Sequence, residues 1–230
     1  MHAGMFTFLL YDIQYMIYYD ILRYVHFKAY ATKNSTIDGC LGLASQTPGK
    51  GDHMDDRGLM HIYYGTGKGK TTAALGLALR AAGCGKSVVI VQFLKDWKCG
   101  ELNSLELLPN VTVFRGKASG GTFIHEMSDE QMAETKHIHD ENLRNALELH
   151  DIGKCDLLIL DEAVDAYRLG VLDKEIFIDL LENKPHTLEL VVTGHNPDAH
   201  LIECADYATE MVKRKHPYDM GVSARRGVEF

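Results

Sequence analysis

The sequence predicts an α/β domain: a mostly parallel sheet of about six strands between two layers of helices. Three observations predict it. From Leu59 onward, short β-prone apolar runs alternate with helix-length segments, the pattern of a parallel sheet covered on both faces. Ser87 to Leu94 reads as a single apolar run, as a strand buried on both sides should. Glycines and polar residues gather where these runs end, and open parallel sheets bind ligands beyond the carboxyl ends of their strands.

Taken in order, Leu59 to Tyr64 is the first strand, and it feeds the glycine-rich turn Gly65, Thr66, Gly67, Lys68, Gly69, Lys70. A helix follows at once over Thr71 to Ala82, with Ala73, Ala74, Leu77, Ala78 and Ala81 on one side for close packing; Gly83 and Gly85 stop it. Ser87–Leu94 and Val111–Arg115 are the second and third strands. Residues 116–125 form a glycine-rich loop. Ser128 and Gln131 then make a capping box that opens a long helix to about His150. Leu157–Leu160 is the fourth strand, two short helical stretches occupy 162–183, Leu188–Thr193 is the fifth strand and Tyr207–Val212 the sixth. The domain therefore runs from about 57 to 230.

Residues 1–53 read differently. Phe6–Tyr30 holds six of the eleven tyrosines, broken by Asp12, Asp20 and Arg23, and 31–53 is polar and linker-like. Met54 opens a segment that has the look of a protein's start. Residues 1–53 are expected to lie outside the fold, as translated upstream sequence; the alternative is a helix that packs on a partner subunit or caps the active site.

At 230 residues with a formal net charge of −8, the chain lacks the basic balance of a nucleic-acid binder. No 18-residue uncharged apolar run is present, so no membrane span is expected. The five cysteines are scattered without a C-x-x-C, which points to a reducing cytoplasm.

Three strand ends carry the chemistry. Strand, glycine turn and helix in that order make a P-loop, and the fold is a P-loop (RecA-like) three-layer domain. Its backbone N–H groups and positive helix end cradle phosphates, Lys70 reaches them, and Thr71 supplies a hydroxyl to Mg²⁺ or Mn²⁺. The strict pattern needs glycine at 64, where Tyr64 stands, so the loop is one residue short and carries a second cation, Lys68. The fourth strand ends in Asp161 and Glu162, the shape of a Walker B segment: Asp161 for the metal, Glu162 for a water, a ribose hydroxyl or a second metal. The fifth ends in Thr193 and His195. A glycine turn that binds nothing does not account for two lysines among three glycines. His137 and His139, two apart on a helix, are read as solvated or half-buried rather than as a metal pair. The basic run Lys213, Arg214, Lys215 is either solvated or meets a phosphate or a reductase.

The residues around these motifs carry a resemblance. Residues 67–83 (GKGKTTAALGLALRAAG), 91–95 (VQFLK), 160–162 (LDE), 215–221 (KHPYDMG) and the ending Ala224–Phe230 resemble the P-loop ATP:corrinoid adenosyltransferases of cobalamin biosynthesis and salvage. The same one-residue-short loop belongs to that family. The resemblance implies that a Co(I) corrinoid (cobalamin, cobinamide or cobyrinate diamide) attacks C5′ of ATP and expels triphosphate. It implies a nucleotide bound by Gly65, Thr66, Gly67, Lys68, Gly69, Lys70, Thr71 and Thr72, and reversed relative to ordinary P-loop enzymes. Lys68, Lys70 and Glu162 are the implied catalytic groups, with the metal on Thr71 and Asp161. It further implies a homodimer and a flavoprotein-type electron donor. Where the family's corrin-facing loop carries Gly-Phe-Thr-Trp, residues 120–125 keep one aromatic, Phe123, and lack the Trp; Trp97 is a weaker candidate for that face. His195 stands where the family more often has arginine. The competing readings are a P-loop kinase or NTPase attacking the γ-phosphate, and a nucleotide-dependent delivery module without chemistry.

Overall fold

The computed structural model describes residues 56–116 and 126–229. Residues 1–53 and Phe123 lie outside them. Six parallel strands, β1 (Met60–Tyr64), β2 (Val88–Gln92), β3 (Val111–Arg115), β4 (Leu157–Asp161), β5 (Glu189–Thr193) and β6 (Tyr207–Glu210), form one sheet in the order β3-β2-β4-β5-β1-β6. The helices are α1 (Lys70–Gly83), α2 (Gly100–Leu105), α3 (Asp129–Asp151), α4 (Ala163–Arg168), α5 (Lys174–Glu182) and α6 (Ala199–Glu203).

Strand alternation sorts the core into two layers. On one face Val88, Ile90, Leu157, Ile159 and Val191 pack against Ala74, Ala78 and Ala82 of α1. On the other, Val89, Val91, Leu158, Leu160, Leu190 and Val192 meet Leu143 and Ala146 of α3 and Phe177 of α5. Alanines spaced four apart on α1 present almost no side chain toward the sheet, so this helix lies close and its first turn stands directly over the strand ends. Every residue of β2 and β4 is buried, as their apolar runs require. The capping box at Ser128 and Gln131 closes both of its hydrogen bonds.

Two short helices, α2 and α6, were not foreseen. They hold six and five residues, too few for a periodic signal. The sixth strand ends at Glu210 rather than Val212: Met211 still donates its N–H to Tyr64, but its carbonyl accepts from Gly67 of the glycine loop.

The same parity places the site. Gln92 and Asp161 are register partners, and both share the α1 face with Ile90 and Ile159. Thr193 follows Val191 onto that face. The carboxyl ends of β2, β4 and β5 thus make one polar row beneath the start of α1.

Candidate active site

The glycine loop is shaped by what crowds it. Gly65 has φ +104°, and a Cβ there or at Gly67 would lie 2.6 or 2.7 Å from the carbonyl oxygen of Met211. Only glycine tolerates that approach. Gly67 N–H donates to the same carbonyl, and Gly65 N–H to that of His195. Gly69, at φ +121°, ends the loop as the N-cap of α1 and offers no capping side chain. The first N–H groups of this 14-residue helix are therefore free of side-chain acceptors and carry the positive end of its dipole.

Lys70 folds back over the loop and donates to the carbonyls of Gly65 (2.9 Å) and Gly67 (3.0 Å). Burial pulls its ammonium below the usual lysine range, and Asp165, Glu162 and Asp161 partly offset this. Thr71 donates to Asp161 Oδ1 at 2.8 Å, across the intervening strand β5. Thr193 donates to the same oxygen at 2.8 Å and accepts from the N–H of Glu162 at 2.9 Å. Glu162 sits in the left-handed region at φ 62°, unusual for a residue with a side chain. Burial pushes its carboxyl up and Lys95 counters it.

Other candidates stand further out. Lys68 is turned to the chain's last residues, donating to Glu229 (2.9 Å) and to the carbonyl of Val228 (3.1 Å). Glu229, bonded by Arg225 and Lys68, is held at about 2, so this contact persists until pH falls toward that value. Beside it a cavity of about 270 Å³ is lined by Lys68, Lys215, His216, Tyr218 and Arg225. Thr66 and Thr72 are exposed, Thr66 accepting from the N–H of Lys213 at 3.4 Å. His195, exposed, is paired with Asp165 at 3.1 Å. The neighbouring His216 and Asp219 have structural work: His216 caps a 3-10 turn and Asp219 pairs with Lys213. His139 is fully buried, its Nδ1 against the carbonyl of Val171 (2.9 Å) and its Nε2 accepting from the N–H of Leu94 (3.2 Å). It is thus buried more deeply than the solvated or half-buried place its sequence context suggests.

Two site residues were missed in the sequence, both at the end of β2. Lys95 is 7% exposed and bonds Asp161 Oδ2 at 2.5 Å, Glu162 at 3.3 Å and Thr71 at 3.4 Å. Burial lowers its affinity for a proton, but the two carboxylates more than restore it. Gln92 is fully buried beside Asp161, and neither end of its amide finds a hydrogen-bond partner among the described residues. The signal was available: β2, like the other strands, ends in polar residues at the carboxyl edge.

A buried amide left unpaired costs roughly 1–3 kcal/mol. If Gln92 is retained for a ligand, Gln92→Leu will raise stability by about 1 kcal/mol while weakening turnover. Calorimetric unfolding and steady-state assays check this; a variant destabilised yet fully active would contradict it.

Oxygens of Thr71, Asp161 and Glu162 converge with an unpaired amide beside them. This hard-oxygen set suits Mg²⁺, which takes one or two protein oxygens and completes its shell with phosphate and water. Among the described residues no cluster of three His, Cys, Asp or Glu suited to a metal occurs. No described helix is long and apolar enough to cross a membrane.

Comparison with known proteins gives the family. Residues 56–230 match the family model described as ATP:corrinoid adenosyltransferase BtuR/CobO/CobP. A corrinoid adenosyltransferase of Escherichia coli K12 is 33% identical over 178 residues, covering 77% of this chain and 88% of that protein. One from Salmonella typhimurium is 32% identical with the same coverage. One from Pseudomonas aeruginosa is 32% identical over 177 residues, 76% of this chain and 85% of that protein.

Proposed function

Because this chain belongs to the ATP:corrinoid adenosyltransferase family, we propose that it transfers the 5′-deoxyadenosyl group of ATP to the Co(I) centre of a corrinoid and releases triphosphate. The observation that carries the reading is the Thr71–Asp161 bond, which joins the phosphate loop to the acidic strand end in one site. A Co(I) electron pair forms the Co–C bond to C5′ as the C5′–O bond breaks, and the departing electrons stay on the triphosphate oxygen. Cobalt is the nucleophile, so the protein need not supply one. Thr193, in the row, and Thr71, at the start of α1 above it, both donate their hydroxyls to Asp161.

The chain's work is to hold the triphosphate and take up its charge. The free N–H groups of α1 and Lys70 serve this directly; Lys70 first exchanges its two loop carbonyls for phosphate oxygens. Lys68 joins them by giving up Glu229. Glu162, held by its left-handed backbone at the rim, accepts a ribose hydroxyl or a water. Mg²⁺, or Mn²⁺, held by Thr71 and Asp161, supplies further positive charge to the leaving phosphates when bound. Phe123 is assigned to the corrin face, with Trp97, 47% exposed beyond β2, as the second aromatic. We further infer a homodimeric cytoplasmic enzyme working with a flavoprotein-type donor that delivers Co(I). Cobalamin, cobinamide and cobyrinate diamide all fit this chemistry.

The test mixes protein, Mg-ATP and chemically reduced cobalamin under anaerobic conditions. Loss of the Co(I) spectrum with appearance of a light-sensitive Co–C product is expected. ATP binding with no corrin change above a protein-free control would sink the proposal and favour a delivery module.

A further inference from the structure

Lys95 occupies a position that the reading above reserves for a divalent cation. Its ammonium has three donors, and the three acceptors around it are Asp161, Glu162 and Thr71. Two of those are the residues that reading assigns to the metal. Two cations cannot share that point at full charge in so buried a place, since their repulsion grows as solvent is excluded. The backbone beneath Lys95 is fixed. Leu94 is held in the left-handed region at φ 59°, and its N–H is bonded by His139, itself anchored to the carbonyl of Val171. The four-carbon stem above that anchor is the part free to move.

We propose that Lys95 is a stand-in for the metal: it holds Asp161 and Thr71 in place before the metal binds, yields them when the metal arrives, and then binds the triphosphate. This rests on the phosphate-loop reading of the site but not on corrinoid chemistry. It separates two tasks usually given to different groups. Before the metal binds, Lys95 keeps the buried Asp161 carboxylate compensated, and in the loaded enzyme it becomes a further cation on the leaving group.

The two tasks predict effects of opposite sign. In Lys95→Met, Mn²⁺ alone should bind about tenfold more tightly, because its competitor for Asp161 is gone. Inorganic tripolyphosphate with Mg²⁺ should bind about tenfold more weakly, because a charge-assisted contact is lost. Mn²⁺ binding is read by electron paramagnetic resonance and tripolyphosphate binding by calorimetry, with no turnover needed. Mn²⁺ affinity unchanged or weakened in a folded variant would overturn the proposal. A second measurement uses the unmodified protein: crystallised with Mg²⁺ and tripolyphosphate, it should show the ammonium off Asp161 and on a phosphate oxygen. Finding Lys95 still on Asp161 in that complex would overturn it too. If the unmodified protein bound no tripolyphosphate, the phosphate-loop reading would fall and take this inference with it. Failure to alkylate cobalt would sink only the function proposed above.

Discussion

Lys70→Ala is expected to slow Co–C bond formation by about 10²–10³-fold, the range for losing one preorganised charge at a developing anion. The mutation removes an ammonium that the proposed function assigns to the leaving triphosphate, and it also frees the carbonyls of Gly65 and Gly67 that Lys70 now bridges. Both glycines are buried, so losing this donor should also cost about 1 kcal/mol of stability. The loop is pinned independently, through Gly65 N–H to His195 and Gly67 N–H to Met211. Single-turnover rates beside thermal unfolding check both halves. A variant with near-normal turnover would mean that triphosphate charge is carried elsewhere, and Lys68 would be the next residue to replace.

Asp161→Ala should fail in a different way, losing stability and activity together. Asp161 is fully buried and accepts from Thr71, Thr193 and Lys95. Removing it leaves the buried Lys95 ammonium with Glu162, at 3.3 Å, as its counter-charge and the neutral Thr71 hydroxyl at 3.4 Å. Breaking a buried pair costs about 3–5 kcal/mol, and the remaining carboxylate argues for the lower end. The unfolding midpoint should fall by roughly 10 °C. Adding Lys95→Met to Asp161→Ala should recover most of that loss, because no charge is then stranded, while activity stays absent because the metal position is gone. Calorimetry on the single and double variants decides this. No recovery in the double variant would mean that the threonine contacts, not the ion pair, dominate.

Much of this arrangement was legible in the residues because it is local. The run Val111–Arg115, the capping box at Ser128 and the Leu157–Asp161 strand each carry their signal within a few residues, and each appears where that signal lies. The glycines at 65 and 67 were legible as a loop, but the reason for both is the Met211 carbonyl, nearly 150 positions away. Helix α6 announced itself only through Asp198, whose side chain caps the N–H of Leu201. Lys95 and Gln92 were missed for a related reason. A lysine after an apolar strand normally reaches solvent. What buries this one is the β2–β4 register that sets Gln92 opposite Asp161, together with the turn at Leu94. Neither is written in the neighbouring residues. His139 shows the converse: helical spacing argues against a metal pair with His137 but says nothing of its buried bonds to Leu94 and Val171, which are tertiary.

The central claim is that bond breaking occurs at C5′ of the ribose and that the gripped phosphates leave as one piece. Phosphorus NMR of a completed reaction with reduced corrinoid tests this most directly. The account predicts one intact triphosphate released for each Co–C bond formed. ADP with orthophosphate, or a phosphorylated acceptor, in place of triphosphate would contradict it and make the chain a γ-phosphate enzyme.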